Sequence, residues 1–245
     1  MTSTSAAPMR SPFFVALDVD DEKTALKIVE ETEDLAGGFK IGPRLAYRYG
    51  QDFAKRLARH SALFVDCKFH DIPSTVKAAL KSAFESGATF ATVHASNGSH
   101  CLKELAKLEA EFNRERFFKI LAVTVLTSFE ENSVPQNWAP SKTIGEHVQI
   151  LADEVCNAGL SGLVCAPTEV QALRANHRDA FLVTPGIRAD KTQTKNSDDQ
   201  KRTMSASEAL TAGATALVVG RPILEAPKPR EALAELIKSI NGFKK

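Results

Sequence analysis

Along the chain, short apolar runs alternate with longer segments whose apolar residues return every three or four positions. The runs are FFVALDV (13–19), GFKIG (38–42), ALFVDCK (62–68), FATVHAS (90–96), FKILAVTVL (118–126), GLVCAP (162–167), FLVTPGI (181–187) and ALVVGR (216–221). They are rich in Val, Ile, Leu and Phe and lack clean alternation, as parallel strands covered on both faces should. Between them, DDEKTALKIVEETEDL (20–35), PSTVKAALKSAFESG (73–87) and SHCLKELAKLEAEFN (99–113) carry a helical period. Eight such alternations predict a single-domain α/β fold, a (β/α)8 TIM barrel over residues 12–245 behind a flexible N-terminal tail, 1–11. A doubly wound sheet with fewer strands is the alternative.

Punctuation agrees with this order. Gly37-Gly38, Gly87, Gly159 and Gly213 follow helical patterns and precede strands, and are expected to end helices by adopting positive φ. The stretch RADKTQTKNSDDQKRT (188–203) is polar throughout and long for a βα loop, which suits a mobile lid or a tolerated insertion. Its place after the seventh strand favours the lid.

Composition narrows the classes of function. Of 245 residues, 43% are hydrophobic and 25% charged, ordinary for a globular chain with a filled core. Lys and Arg total 31 against 30 Asp and Glu, so no global field draws the chain to nucleic acid or to an anionic membrane. An anionic ligand must therefore be held by local groups. Cys67, Cys101, Cys156 and Cys165 form no CxxC pair and sit mostly in apolar segments, as reduced structural thiols of a cytoplasmic protein would. No apolar run nears the roughly 18 residues of a membrane span, and MTSTSAAPMRSP lacks the pattern of a secretory leader. A Walker loop, GxGxxG, GxSxG, HExxH and paired-cysteine metal ligands are all missing from the sequence.

In a barrel, chemistry belongs at the carboxyl ends of the strands. Those positions hold Asp18, Lys40, Asp66 with Lys68 and then Asp71, His94 with Ser96, Thr127-Ser128, Arg188 after Pro185-Gly186-Ile187, and Gly220-Arg221. Asp66 and Lys68 stand two apart, so a regular strand points them the same way, and Lys40 can face them from the neighbouring strand. An exposed ion pair is the ordinary explanation of such a pair. Phe64, Val65, Cys67 and Phe69 around it, and charges on several other strand ends, favour a desolvated Lys–Asp–Lys–Asp array instead. Such an array holds each member charged and can place an ammonium beside a developing carbanion. Gly220-Arg221 and Arg188 suit a phosphate, while His70 and His94 fit local hydrogen bonds better than proton transfer.

The segments VALDVDD, FKIGPRL, FVDCKFHDIPST, TVHASNG, AVTVLTS, LVTPGIR, DDQKR and VVGRPI, in this order over almost the whole chain, resemble the orotidine 5′-phosphate decarboxylase family, in its bacterial branch. The resemblance implies a cofactor-free, metal-free conversion of orotidine 5′-monophosphate to UMP and carbon dioxide. It also implies the roles. Lys68 would donate the proton, Asp66 would face the departing carboxylate, and Lys40 would bridge carboxylates and ribose. Asp71 would cross a homodimer interface into the partner's site, with Ile72 and Thr75 lining the same pocket. Asp18 would hold ribose, Thr127 the pyrimidine edge, Gln200 base and phosphate, and Arg188, Gly220 and Arg221 the phosphate. Cys67, where an aliphatic residue is common in that branch, should face away from the site. Other barrel enzymes on phosphorylated sugars, with metal-assisted enolate or Schiff-base chemistry, and a silent barrel sensing pyrimidine monophosphates are the alternatives.

Overall fold

The structure is a computed structural model and describes residues 9–131, 134–135, 138–139, 141–188 and 202–241. Its strands are β1 (Phe13–Ala16), β2 (Gly38–Ile41), β3 (Ala62–Phe69), β4 (Ala88–His94), β5 (Lys119–Val123), β6 (Gly162–Val164), β7 (Phe181–Thr184), β8 (Ile187–Arg188), β9 (Met204–Ser205) and β10 (Ala216–Val219). All but β8 and β9 close into a parallel barrel ordered β1-β10-β7-β6-β5-β4-β3-β2, so each of the eight apolar runs supplies one stave. Helices α1 (Glu22–Thr32), α2 (Pro43–Ala58), α3 (Pro73–Glu85), α4 (Ser99–Phe112), α5 (Ile144–Asn157), α6 (Val170–Asn176), α7 (Ala206–Thr211), α8 (Arg221–Leu224) and α9 (Pro229–Asn241) alternate with the strands.

Two apolar layers result from the strand pleat. Outward-facing residues such as Phe13, Val15, Phe39 and Leu63 pack under the helices in one large cluster. Inward-facing Phe14, Phe64, Phe90, Leu121, Val183 and Val218 form a second cluster inside the barrel. There the rings of Phe14, Phe64 and Phe90 meet edge to face, with centroids 5.8, 5.3 and 6.3 Å apart. This plug fills the lower barrel, and the inward polar residues Lys40, Asp66 and Thr92 lie above it.

Helix entry is set locally. Pro43 and Pro73 each occupy the first turn of a helix, where the missing N–H is no loss and the fixed φ is already helical. Gly87, Gly159 and Gly213 have the expected positive φ. Gly37 and Gly38 do not, which corrects the expectation that they end a helix this way. Gly38 lies in β2, and a Cβ on either would stand only 2.0 Å from the Ser11 carbonyl oxygen or 2.3 Å from that of Ala62. Close strand packing, not a turn, requires glycine at both.

Of the proposed tail, residues 1–8 lie outside the described residues; Met9 packs against the inner cluster and the Ser11 hydroxyl donates to the Leu35 carbonyl at 2.8 Å. Of the polar stretch 188–203, residues 189–201 also lie outside the described residues. Its flanks meet where β8 pairs parallel with β9, Ile187 opposite Met204 and Arg188 opposite Ser205. Among the described residues no helix is long and apolar enough to cross a membrane.

Candidate active site

The carboxyl ends of the strands surround a cleft of about 660 Å³. Its wall includes Asp18, Lys40, Asp66, Lys68, Thr127, Arg188, Gly220 and Arg221, eight of the sequence-derived candidates. Its floor is apolar where Ala16, Phe64 and Val218 rise from the barrel interior.

Along one side runs a chain of alternating charge. Lys40 Nζ lies 3.3 Å from Asp18 Oδ1 and 3.4 Å from Asp66 Oδ2. Asp66 Oδ1 in turn accepts a 2.8 Å hydrogen bond from Lys68 Nζ. Lys40 is 7% exposed. Burial alone would lower its pKa, yet the Asp66 and Asp18 carboxylates outweigh that cost and hold it above the ordinary lysine value. The same balance acts on Asp66 in the opposite sense: burial pushes its carboxyl up, and Lys40, Lys68 and Thr92 together hold it below the ordinary value. Both groups are thus charged at neutral pH. Lys68 is more open than either, its side chain 40% exposed at the wall of the cleft.

The geometry of β3 departs from a regular strand at this point. From Val65 to Phe69 it takes four steps while the facing β4 takes two, Ala91 to Val93. Within this irregularity Lys68 adopts φ +49°, the only positive φ of a non-glycine among the described residues. Such a conformation is unfavourable for a side chain bearing a Cβ and must be imposed by its surroundings. The expectation that Asp66 and Lys68 point together through simple alternation therefore gives the right neighbours for the wrong reason. Cys67 between them packs on the outer cluster under the helices, and burial pushes its thiol up to about 11.

Arg188, Gly220 and Arg221 line the same cleft at the ends of β8 and β10, with Gly220 beside Asp18. Arg188 donates to the Ile187 carbonyl at 3.0 Å. Thr127 reaches the cleft from beyond β5, whose ladder ends earlier, at Val123, so that Val125 and Leu126 line the pocket instead of extending the strand.

Three candidates lie elsewhere. Asp71, Ile72 and Thr75 are exposed and do not line this cleft, Ile72 being 64% exposed despite its apolar side chain. Gln200 lies outside the described residues. His70 and His94 stack, ring centroids 5.3 Å apart, and His94 Nδ1 sits 2.6 Å from the Ser96 hydroxyl, the local bonding expected of it. Burial first, then His70 and Lys68, lower the His94 pKa. Among the described residues no group of three His, Cys, Asp or Glu side chains is placed to hold a metal.

Several contributors escape the sequence. Thr92 hydrogen-bonds both Asp66 and the Lys68 backbone. Asn97 donates to the carbonyls of Phe69 and His94, both at 2.9 Å, and accepts from the Asp71 N–H at 3.3 Å, fixing the loop after β3. Arg44 lines the cleft and donates to the Asp18 carbonyl at 3.2 Å. Arg202 pairs with Glu169 and donates to the Leu126 carbonyl at 2.8 Å, tying the end of the polar stretch to the rim. Thr92 left a trace in the sequence, as a polar residue two after inward-facing Phe90.

Fold and cleft define a (β/α)8-barrel enzyme with an alternating lysine–aspartate array at its strand ends. The model of the Orotidine 5′-phosphate decarboxylase / HUMPS family matches residues 11–236. The chain is similar to proteins named orotidine 5′-phosphate decarboxylase from Synechococcus sp. (40% identical, covering 99% of this chain and 100% of that one) and Pasteurella multocida (38%, 96% and 97%). Its fold is similar to the crystal structure of orotidine 5′-phosphate decarboxylase from Lactobacillus acidophilus, with a TM-score of 0.80, 33% identity and coverage of 94% of this chain and 99% of that one. The chain belongs to the orotidine 5′-phosphate decarboxylase / HUMPS family.

Proposed function

We propose that this enzyme decarboxylates orotidine 5′-monophosphate to UMP in pyrimidine biosynthesis, without metal or organic cofactor. The observation that carries the reading is the unbroken Asp18–Lys40–Asp66–Lys68 chain, with contacts of 3.3, 3.4 and 2.8 Å, in a cleft that Arg188 and Arg221 also line. Family membership and the names of the relatives point to the same reaction.

In this mechanism Arg188, Arg221 and the Gly220 backbone grip the 5′-phosphate, Asp18 and Lys40 hold the ribose, and Thr127 meets the pyrimidine edge. The C6 carboxylate then sits against Asp66. The bond between C6 and the carboxyl carbon breaks, its electron pair stays on C6, and carbon dioxide leaves. The Lys68 ammonium, attracted to charge that exists only as the bond breaks, gives C6 its proton and regains one from water. The like-charge contact at Asp66 is relieved in the same step. Lys40 and Lys68 keep Asp66 ionised, which is what that contact requires. Gln200 binds base and phosphate, so that phosphate binding is converted into orientation at C6.

Asp71, Ile72 and Thr75 serve the active site of a second copy in a homodimer. Their exposure on the loop after β3 and the start of α3, outside their own cleft, supports this role. The test of the reaction is loss of orotidine 5′-monophosphate absorbance with purified protein in buffer containing EDTA. Full turnover there is expected. Activity that vanishes with chelator and returns with magnesium would transfer the chain to the metal-assisted branch.

A further inference from the structure

The four-against-two mismatch between β3 and β4 has a specific side chain set into it. The register runs Val65 opposite Ala91 and then Phe69 opposite Val93, so Thr92 faces the irregular turn of chain that carries Asp66 and Lys68. Its side chain is fully buried inside the barrel, above Phe90. Thr92 Oγ1 accepts a 2.8 Å hydrogen bond from the Lys68 N–H and donates a 3.0 Å bond to Asp66 Oδ1. One hydroxyl therefore holds the backbone of one charged residue and the carboxylate of the other, at the position where Lys68 has φ +49°.

We propose that Thr92 is a positioning residue for the decarboxylation: its hydroxyl clamps the irregular end of β3, fixing the Lys68 backbone and the Asp66 carboxylate in the one arrangement that points the ammonium at the reacting carbon. This inference rests on the decarboxylase reading. Thr92 does not line the cleft, so it acts through its two partners and touches no substrate. The remaining contacts do not replace it. Lys40 on β2 approaches the other oxygen, Asp66 Oδ2, and Lys68 Nζ shares Oδ1 but swings on a long side chain. Asp18, beyond β1, reaches the array only through Lys40. Without the hydroxyl the part-buried Lys68 N–H is left to find a new partner.

Thr92→Val keeps the branched shape and removes the hydroxyl; Thr92→Ser keeps the hydroxyl. Misplacing a reacting group by about an ångström costs on the order of 100-fold in rate, and a fall in kcat approaching that is expected for Thr92→Val. KM and UMP affinity should stay near wild type, because the groups that grip phosphate and ribose are untouched. Thr92→Ser should recover most of kcat. A carbon-13 titration of the Asp66 carboxyl supplies a readout independent of turnover: Thr92→Val is expected to raise its midpoint, since a donor to the ionised form is lost, and Thr92→Ser to leave it low. Wild-type kcat in a folded Thr92→Val, or a Thr92→Ser as impaired as the valine variant, overturns the clamp. A wild-type protein inactive on orotidine 5′-monophosphate would sink the decarboxylase reading instead; the Asp66 titration then decides whether the hydroxyl holds the array, and an unmoved midpoint refutes it.

Discussion

The lower and upper halves of this barrel are built on the same strands and obey opposite rules. At one level Phe14, Phe64 and Phe90 fill the interior with ring edges and faces, fully desolvated and without a polar atom. Two residues further along the same inward rows stand Asp66 after Phe64 and Thr92 after Phe90, with Lys40 beside them on β2. Below, burial of apolar area stabilises the fold whatever the details of orientation. Above, burial is a cost that only mutual pairing offsets, and each group's value depends on its neighbour's position to within tenths of an ångström. A stable lower half is what lets the upper half hold charges in a conformation as unfavourable as that of Lys68.

This division can be tested from both sides. The largest effect expected is at Lys68: Lys68→Ala should lower kcat by about 10³-fold or more, the scale of a lost general acid with its transition-state charge. UMP affinity should be largely kept and thermal stability little changed. A variant with near-normal turnover would show that another group protonates the product, and would blur the line between chemical and structural layers.

Phe90→Ala is the converse experiment. Emptying this site inside the plug should cost about 3–5 kcal/mol of stability in denaturant titration, while the molecules that remain folded keep their turnover. Loss of turnover without loss of stability would mean that the plug shapes the site directly.

The smallest effect is a dependence of stability on pH, written into the array. Asp66 titrates below its ordinary 3.8 when folded, so the unfolded chain takes up its proton first and stability falls as pH drops below that value. Lys40 titrates above its ordinary 10.5, so its contribution is complete below that pH and is lost as pH rises through the raised value. A plateau between these limits is expected in melts followed across pH, and Asp66→Asn should flatten the acid limb. An unchanged acid limb in that variant would assign the acid loss to other carboxylates.

The sequence by itself determined the barrel and the identity of most of its chemistry. Eight unalternating apolar runs separated by amphipathic helices admit few architectures, because a strand hydrophobic on both faces must be covered on both. Reading the strand ends placed eight candidates in one cleft, since in this fold position along a strand already specifies height in the barrel; Asp71, the last member of the Asp-x-Lys-x-x-Asp motif, lies outside it. The pairing of Asp66 with Lys68 was legible as well, although the regular alternation it was read from does not hold there.

What the tertiary structure alone decided depends on contacts between distant segments. That Gly37 and Gly38 answer to the carbonyls of Ser11 and Ala62, and not to a helix end, follows from strands meeting across the sheet. That Arg202 reaches Glu169 and the Leu126 carbonyl follows from the two ends of the polar stretch returning to one rim. The positive φ of Lys68 and the hydroxyl of Thr92 beneath it depend on a register mismatch between β3 and β4. Periodicity records which way residues face in a regular strand. It cannot record where the strand stops being regular, because that is decided by the neighbour it is pressed against.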